Sequence, residues 1–163
     1  MNGYIVEPED MSTFWPKVDK TATCWNWTGS KERKGYGRFG FRRNGKSMMF
    51  SAHRLAYQMT VAPIPEGMVI DHTCHNPSCV NPGHMRVATY KQNNENLLRA
   101  QTRNASGIRG VTWHAPSKMW RARVGHMGEQ YHLGSFKSKE EAGEAAKAKR
   151  LELFTHSDMD RVA

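Results

Sequence analysis

The first strong periodicity in the chain is an alternation. Across residues 36–50, YGRFGFRRNGKSMMF, the positions Tyr36, Arg38 and Gly40 fall on one side and Gly37, Phe39 and Phe41 on the other. That is the period of two of a half-buried strand. The Asn-Gly pair at 44–45 tolerates the left-handed backbone of a two-residue turn, so the stretch predicts a hairpin. Upstream, CWNWTG (24–29) alternates aromatic and polar residues and predicts a short strand, followed by a charged turn, SKERKG (30–35). Residues 1–20 carry few cues and read as a loosely packed lead-in. Downstream, SAHRLAYQMT (51–60) shifts to helical spacing with Leu55, Tyr57 and Met59, and the prolines and glycine of APIPEG (62–67) end it. MVI (68–70) is a brief apolar strand leading into Asp71 and His72. MRVATYKQNNENLLRA (85–100) predicts a short strand and then a polar helix capped at Thr89.

Beyond QTRNASG (101–107), a small, polar stretch that reads as a linker, the pattern changes. IRGVTWH (108–114), MWRARVG (119–125) and EQYHLGSF (129–136) are three period-2 runs joined by turn residues. SKEEAGEAAKAKRLELF (138–154) is a helix opened by a capping box of Ser138 and Glu141. Its Ala142, Ala145, Ala146 and Ala148 permit close packing on a sheet, and Lys147, Lys149 and Arg150 complement the helix dipole at its end. The boundary is placed near 103, giving a first module over 1–103 with its core at 24–96 and a second over 104–163. The fold class expected is α+β.

Composition sharpens this picture. Only 38% of residues are hydrophobic, so the core is small and suited to a staple such as a bound metal. The net charge of +9 favours a polyanionic partner, nucleic acid first and an anionic membrane surface second, with solubility alone as the bland alternative. No apolar run approaches the roughly 18 residues of a membrane span, and the first residues lack the pattern of a signal peptide. A cytoplasmic protein is therefore expected. Three cysteines, Cys24, Cys74 and Cys79, argue against a disulfide framework and leave metal binding or catalysis open.

The densest chemistry is DHTCHNPSCVNPGH (71–84). Cys74, Cys79 and His84 supply two soft thiolates and an imidazole at short spacing, which suits tetrahedral Zn2+. Cys24, at the start of the first strand, can fold back as the fourth ligand of a closed, structural site. His75 competes with His84, and the alternative is that the cysteines are incidental, Cys24 being a small buried hydrophobe. Asp71 and His72 stand at a strand end, with Asn93 on a helix some twenty residues on. Aspartate and asparagine oxygens suit a hard cation, Mg2+ or another divalent ion. A neutral histidine beside it can take a proton from water. Those three side chains fit metal-assisted phosphodiester hydrolysis. The competing explanation is an ordinary buried Asp-His pair.

Residues 24–96 resemble the zinc-binding phage and intron-encoded members of the HNH endonuclease family of the ββα-metal fold. The likeness is carried by AHRLAYQ and GMVIDHTCHNPSCVNPGHMRVATYKQNNEN, and the order His, Cys, Cys, His, Asn is also similar to the His-Cys box homing endonucleases. The resemblance implies that His72 is the general base and that Asp71 and Asn93 bind the catalytic cation. It also implies that Cys24, Cys74, Cys79 and His84 bind structural zinc. Asn93 stands where many members have a second histidine, and Asn94 and Asn96 are close enough to compete with it. Arg54 is a candidate phosphate contact, and His53 beside it is either functional or a packing residue.

Residues 107–154 resemble the AP2 DNA-binding domain through GIRGVTWH, KMWRARV, YHLGSF and SKEEAGEAAKAKRLEL. That likeness implies a three-stranded antiparallel sheet, packed on one helix, lying in the major groove. Arg109, Trp113, Arg121 and Arg123 are the expected contacts, with Trp120 turned towards the helix. Arginine can read guanine with two hydrogen bonds, and indole packs on sugars or thymine methyls. Arg38 and Arg42 make the first-module hairpin a second DNA-facing candidate. The expectation is a metal-dependent homing endonuclease on double-stranded DNA, monomeric or homodimeric, with no membrane or small-molecule partner. If phage-encoded, it acts in the host cytoplasm. A catalytically inactive sequence-specific DNA-binding regulator is the alternative class, and a non-specific or RNA-directed nuclease the third.

Overall fold

The structure, a computed structural model, describes residues 12–97 and 104–162. The chain forms two compact units, one up to Thr89 and one from Tyr90 onward. Of the expected linker, residues 101–103 lie outside the described residues, and residues 104–107 form a turn closed by the Gly107 N–H donating to Asn104 O (3.0 Å).

The first unit begins with a turn of 3-10 helix at Trp15–Lys17 and a strand β1 (Val18–Lys20). β1 pairs antiparallel with β2 (Trp25–Trp27), Val18 opposite Trp27. The loosely packed lead-in is thereby corrected from residue 12 onward. Phe14 is wholly buried, and its ring lies 4.8 Å from Trp27 and 5.1 Å from Phe39. β3 (Arg38–Arg43) and β4 (Lys46–Ser51) form the expected hairpin. Asn44 and Gly45 both take positive φ, 50° and 75°, the left-handed pair that a two-residue turn demands. Alternation sends Phe39 inward and Arg38 outward. Gly37 is needed for space: a Cβ there would sit 2.6 Å from the Trp27 ring.

α1 (Ala52–Thr60) buries Ala52, His53, Leu55 and Ala56 against this core. β5 (Val69–His72) pairs antiparallel with β6 (Met85–Ala88), with Asp71 opposite Arg86 and His72 opposite Met85. The strand therefore runs two residues beyond MVI, because the ladder to β6 carries Asp71 and His72 inside it. Trp27, Phe39, Leu55, Ile70, Val80 and Met85 complete one small aromatic-rich core.

The second unit opens with α2 (Tyr90–Glu95), which stops well short of the expected residue 100. β7 (Val111–His114), β8 (Met119–His126) and β9 (Glu129–Phe136) form an antiparallel sheet in the order β7-β8-β9. α3 (Lys139–Leu153) starts at the expected capping box, Ser138 and Glu141 bonding each other's main chain. It buries Ala142 and Ala146 against Val111, Ala122 and Val124. A short α4 (Asp158–Arg161) follows. Among the described residues, no helix is long and apolar enough to cross a membrane.

Candidate metal centre and catalytic pocket

The loop between β5 and β6 is folded back against β2. Asn26 and Cys79 form a β-bridge, the Trp27 N–H donates to Ser78 O (2.8 Å), and the Val80 N–H donates to Trp25 O (2.8 Å). This docking brings Cys24 to Cys74, Cys79 and His84, whose ligand atoms all lie within 4.8 Å of one another. His84 Nδ1 is 3.7 Å from Sγ of both Cys24 and Cys79. A zinc tetrahedron with Zn–S near 2.3 Å and Zn–N near 2.0–2.1 Å has S···N edges of roughly 3.6 Å, so the spacing fits. The donor set fits as well. Burial, with the neighbouring thiols adding to it, pushes the Cys74 thiol up to about 12 and that of Cys79 upward. The Cys74 and Cys79 thiols are thus poor anions alone, and a divalent cation would favour their thiolate forms. His84, and not His75, belongs to the cluster. His75 is held at φ 54° with its Nε2 buried and without a hydrogen bond among the described residues. A Cys3His cluster of this kind could hold a metal such as zinc.

Beside the cluster stands His72, only 7% exposed. Its Nε2 lies 2.9 Å from the carbonyl oxygen of Cys79. A carbonyl can only accept, so Nε2 carries the hydrogen and the lone pair resides on Nδ1. Burial holds the imidazole below its usual pKa, against the opposing pull of the Cys79 carbonyl and the Asp71 carboxylate. A neutral ring follows at neutral pH. Asp71 is buried, and Arg86, its cross-strand partner, donates to Oδ2 through Nε (2.9 Å) while Nη2 lies 2.8 Å from the same oxygen. Two rings neighbour it: Tyr36, which the sequence did not single out, and His53, which it left as functional or packing. They lie 6.0 and 5.0 Å from His72, and 5.3 Å from each other. His53 is buried, and that burial, with His72 and Arg54 beside it, takes its pKa down to about 3. Its Nδ1 has no hydrogen-bond partner among the described residues. Arg54 is half-buried and reaches Met68 O at 3.4 Å.

Asn93 lies half-buried on α2, in the second unit. In that unit Arg121 and Arg123 project from β8 away from α3, exposed between the buried Ala122 and Val124. Opposite them stand Thr112, Ser135 and His132. Together with Trp113 these residues line a concavity of about 250 Å3. Trp113 faces Trp120 across the ladder, their ring centroids 5.0 Å apart, so both lie on the α3 side near the end of the sheet. Arg109 is engaged elsewhere: it donates to the carbonyls of Glu95 (2.7 Å) and Asn94 (3.0 Å), and its guanidinium sits over the Phe154 ring. On the hairpin, Arg38 and Arg42 are exposed on one face of β3.

Residues 50–95 match the HNH endonuclease family, a segment that takes in α1, β5, the cysteine–histidine loop, β6 and α2. The relatives are phage proteins. The chain is 40% identical over 84 residues to Protein 7.7 of Escherichia phage T7, covering 52% of this chain and 61% of that protein. It is 33% identical over 75 residues to Protein 2.8 of the same phage, covering 46% and 49%. With Protein 3.8 of that phage the identity is 32% over 83 residues, covering 51% of this chain and 68% of that protein. The chain belongs to the family of Protein 3.8, and it carries an HNH endonuclease domain at residues 50–95. It spans only about half to two-thirds of the length of Proteins 2.8 and 7.7. No solved structure matches it.

Proposed function

We propose that the protein is a DNA endonuclease that hydrolyses phosphodiester bonds in double-stranded DNA with His72 as general base. The observation that carries this reading is the hydrogen bond from His72 Nε2 to Cys79 O, inside the HNH-matched segment. It leaves a neutral imidazole with its lone pair on Nδ1, suited to accept a proton from an attacking water. Asp71 and Asn93 supply the hard oxygen donors for a divalent cation, Mg2+ first. Arg86 orients the Asp71 carboxylate, as an outer partner orients a ligand. When bound, the cation supplies positive charge to the transition state and the leaving oxygen. Tyr36 and His53 pack beside the ring and help hold its orientation. Arg54 is assigned to a phosphate contact, and the Cys3His cluster to structural zinc.

The exposed arginines of β8 support the further proposal that the three-stranded sheet is an AP2-like reader of the major groove. Arg121 and Arg123 are its contacts, with Arg38 and Arg42 as a second basic ribbon, while Trp113, turned to the α3 side, is withdrawn from the expected contacts. Arg109 serves there as a tether and not as a reader. The likeness of its residues to homing endonucleases carries the further proposal of a homing role, in the cytoplasm of an infected host if the protein is phage-encoded. The test is incubation of supercoiled plasmid with the purified protein and Mg2+. Wild type is expected to nick or break the DNA, and His72→Ala to lose about 10²–10⁴-fold in rate. Undiminished cutting by that variant removes His72 as base. A wild-type protein that binds DNA but fails to cut it with any divalent cation supplied is instead a catalytically inactive regulator.

A further inference from the structure

The outer face of the hairpin β3–β4 carries a pattern that charge alone does not explain. Three cross-strand pairs lie on it: Arg38 opposite Ser51, Gly40 opposite Met49, and Arg42 opposite Ser47. All six residues are exposed. The intervening pairs turn to the other face, where Phe39 is wholly buried and the Phe41 and Phe50 rings stack 5.6 Å apart against the same core. One face of the ribbon is therefore seated and the other is bare. Between the two exposed arginines stands a large apolar side chain, Met49, 56% exposed. It lies flat across Gly40, where a Cβ would come within 2.8 Å of its Sδ. A glycine inside a strand weakens it and marks a close approach. Here the missing side chain seats the thioether at the centre of the face. A single exposed apolar residue is ordinary; one framed by two guanidinium groups on a fixed ribbon is not.

The surroundings define what fits. Residues 31–46 hold seven basic residues and one acid, Glu32, so the partner is a polyanion. A two-stranded ribbon is too broad for the minor groove of DNA, about 6 Å wide, and fits the major groove, about 12 Å wide. In an RNA duplex that groove is too deep and narrow for side chains to read. The apolar feature on the floor of the DNA major groove is the C5-methyl of thymine. Successive outward pairs on the hairpin stand two residues apart, about 6.8 Å, which equals two base-pair steps of about 3.4 Å.

We propose that the outer face of this hairpin reads the DNA major groove, with Met49 against a thymine methyl and Arg38 and Arg42 on positions two steps to either side. Met49 is then a specificity-determining residue. This inference rests on the reading of the protein as one that acts on double-stranded DNA.

The experiment uses the full-length protein without divalent cation, so that binding is read apart from cutting. Duplexes bound by wild type from a randomised pool are sequenced. A bound duplex is then remade with uracil in place of one thymine at a time, an exchange that removes only the methyl. Wild type is expected to bind about fourfold more weakly when the thymine that Met49 meets is exchanged, the scale for leaving one methyl-sized group unburied. Met49→Ala should bind the thymine and uracil forms alike at that position. Met49→Leu keeps an apolar contact and should restore most of the discrimination. Arg38→Ala and Arg42→Ala should keep the thymine preference, and each should relax a position two steps from it. If no exchange weakens wild type, the thymine contact is overturned. It is overturned equally if every exchange that weakens wild type weakens Met49→Ala by the same factor. Relaxation at other positions in the arginine variants overturns the register alone. A wild type that binds no duplex removes the DNA reading, and this inference with it.

Discussion

Replacing Cys79 by serine should unfold the first unit and leave the second standing. Cys79 is wholly buried, its Sγ is 3.7 Å from His84 Nδ1, and Sγ also accepts the Asn81 N–H at 3.4 Å. A structural zinc contributes about 10–16 kcal/mol of apparent folding free energy in small modules. A whole domain is stable by only about 5–15 kcal/mol. Weakening the site by even half of that range consumes most of what a core of nine buried residues retains. Elemental analysis should find about one zinc per wild-type chain and far less in Cys79→Ser. Hydrogen exchange should then show the peptides of β2, β5 and β6 losing protection. The peptides of β8 and α3 should keep theirs, because their core is a separate cluster. The pH dependence has a definite sign. Ligation needs thiolates, and the Cys74 thiol is pushed up to about 12, so zinc binding releases protons and weakens as the pH falls. A metal-free wild type with full protection of β5 and β6 refutes the staple.

Other perturbations separate packing, charge and recognition. Arg121→Ala and Arg123→Ala, exposed on the open face of the sheet, should each weaken DNA binding and reduce the salt slope by about one; an unchanged slope places the DNA elsewhere. Gly37→Ala forces a Cβ to within 2.6 Å of the Trp27 ring, whose indole N–H is already committed to Ser30 O, and should cost about 1–3 kcal/mol in thermal unfolding. Burial opposes ionisation of Asp160, but hydrogen bonds from Arg150 and Ser157 and the guanidinium charge outweigh it, holding its pKa below the usual 3.8. The pair's stabilisation is therefore present above pH 3.8 and lost as the pH falls through the lower, folded value. Asp160→Asn should flatten this acid limb of the melting curve while lowering stability at pH 7 by about 3–5 kcal/mol.

What the sequence disclosed was local or chemically distinctive. The Asn44–Gly45 turn and the Ser138–Glu141 capping box could be read because their causes lie within four residues. The Cys3His set could be read because few other residues choose that metal, although only the docking of β2 against the loop decides between His75 and His84. Phe14 escaped because one aromatic pair has no period, and its partners Trp27 and Phe39 lie thirteen and twenty-five residues on. Glu95 escaped for a stronger reason. In sequence it is one acid in a polar helix, and its donors sit sixty residues downstream on main-chain N–H groups that no side-chain pattern advertises. Strand alternation placed Arg121 and Arg123 outward. It could not foresee that Arg109, just ahead of β7, spends its guanidinium on α2.

The same residue ties the fold to the chemistry. Through its sulfur Cys79 belongs to the metal cluster, through its main chain it bridges Asn26, and through its carbonyl it fixes Nε2 of His72. A carbonyl inside a loop held by β2, by hydrogen bonds from Ser78 and Asn81 and by a cluster that could bind a metal is a conditional acceptor. If the loop loosens, His72 loses the partner that selects its tautomer, and the proton can move to Nδ1, where the ring can no longer act as base from that side. Zinc removal should therefore depress cleavage before the first unit fully melts, and the loss should follow the exchange protection of the Cys79–Val80 segment more closely than that of the hairpin β3–β4. Titrating chelator against both signals decides the point: cleavage that persists until the hairpin itself unfolds would make the Cys79 carbonyl a bystander.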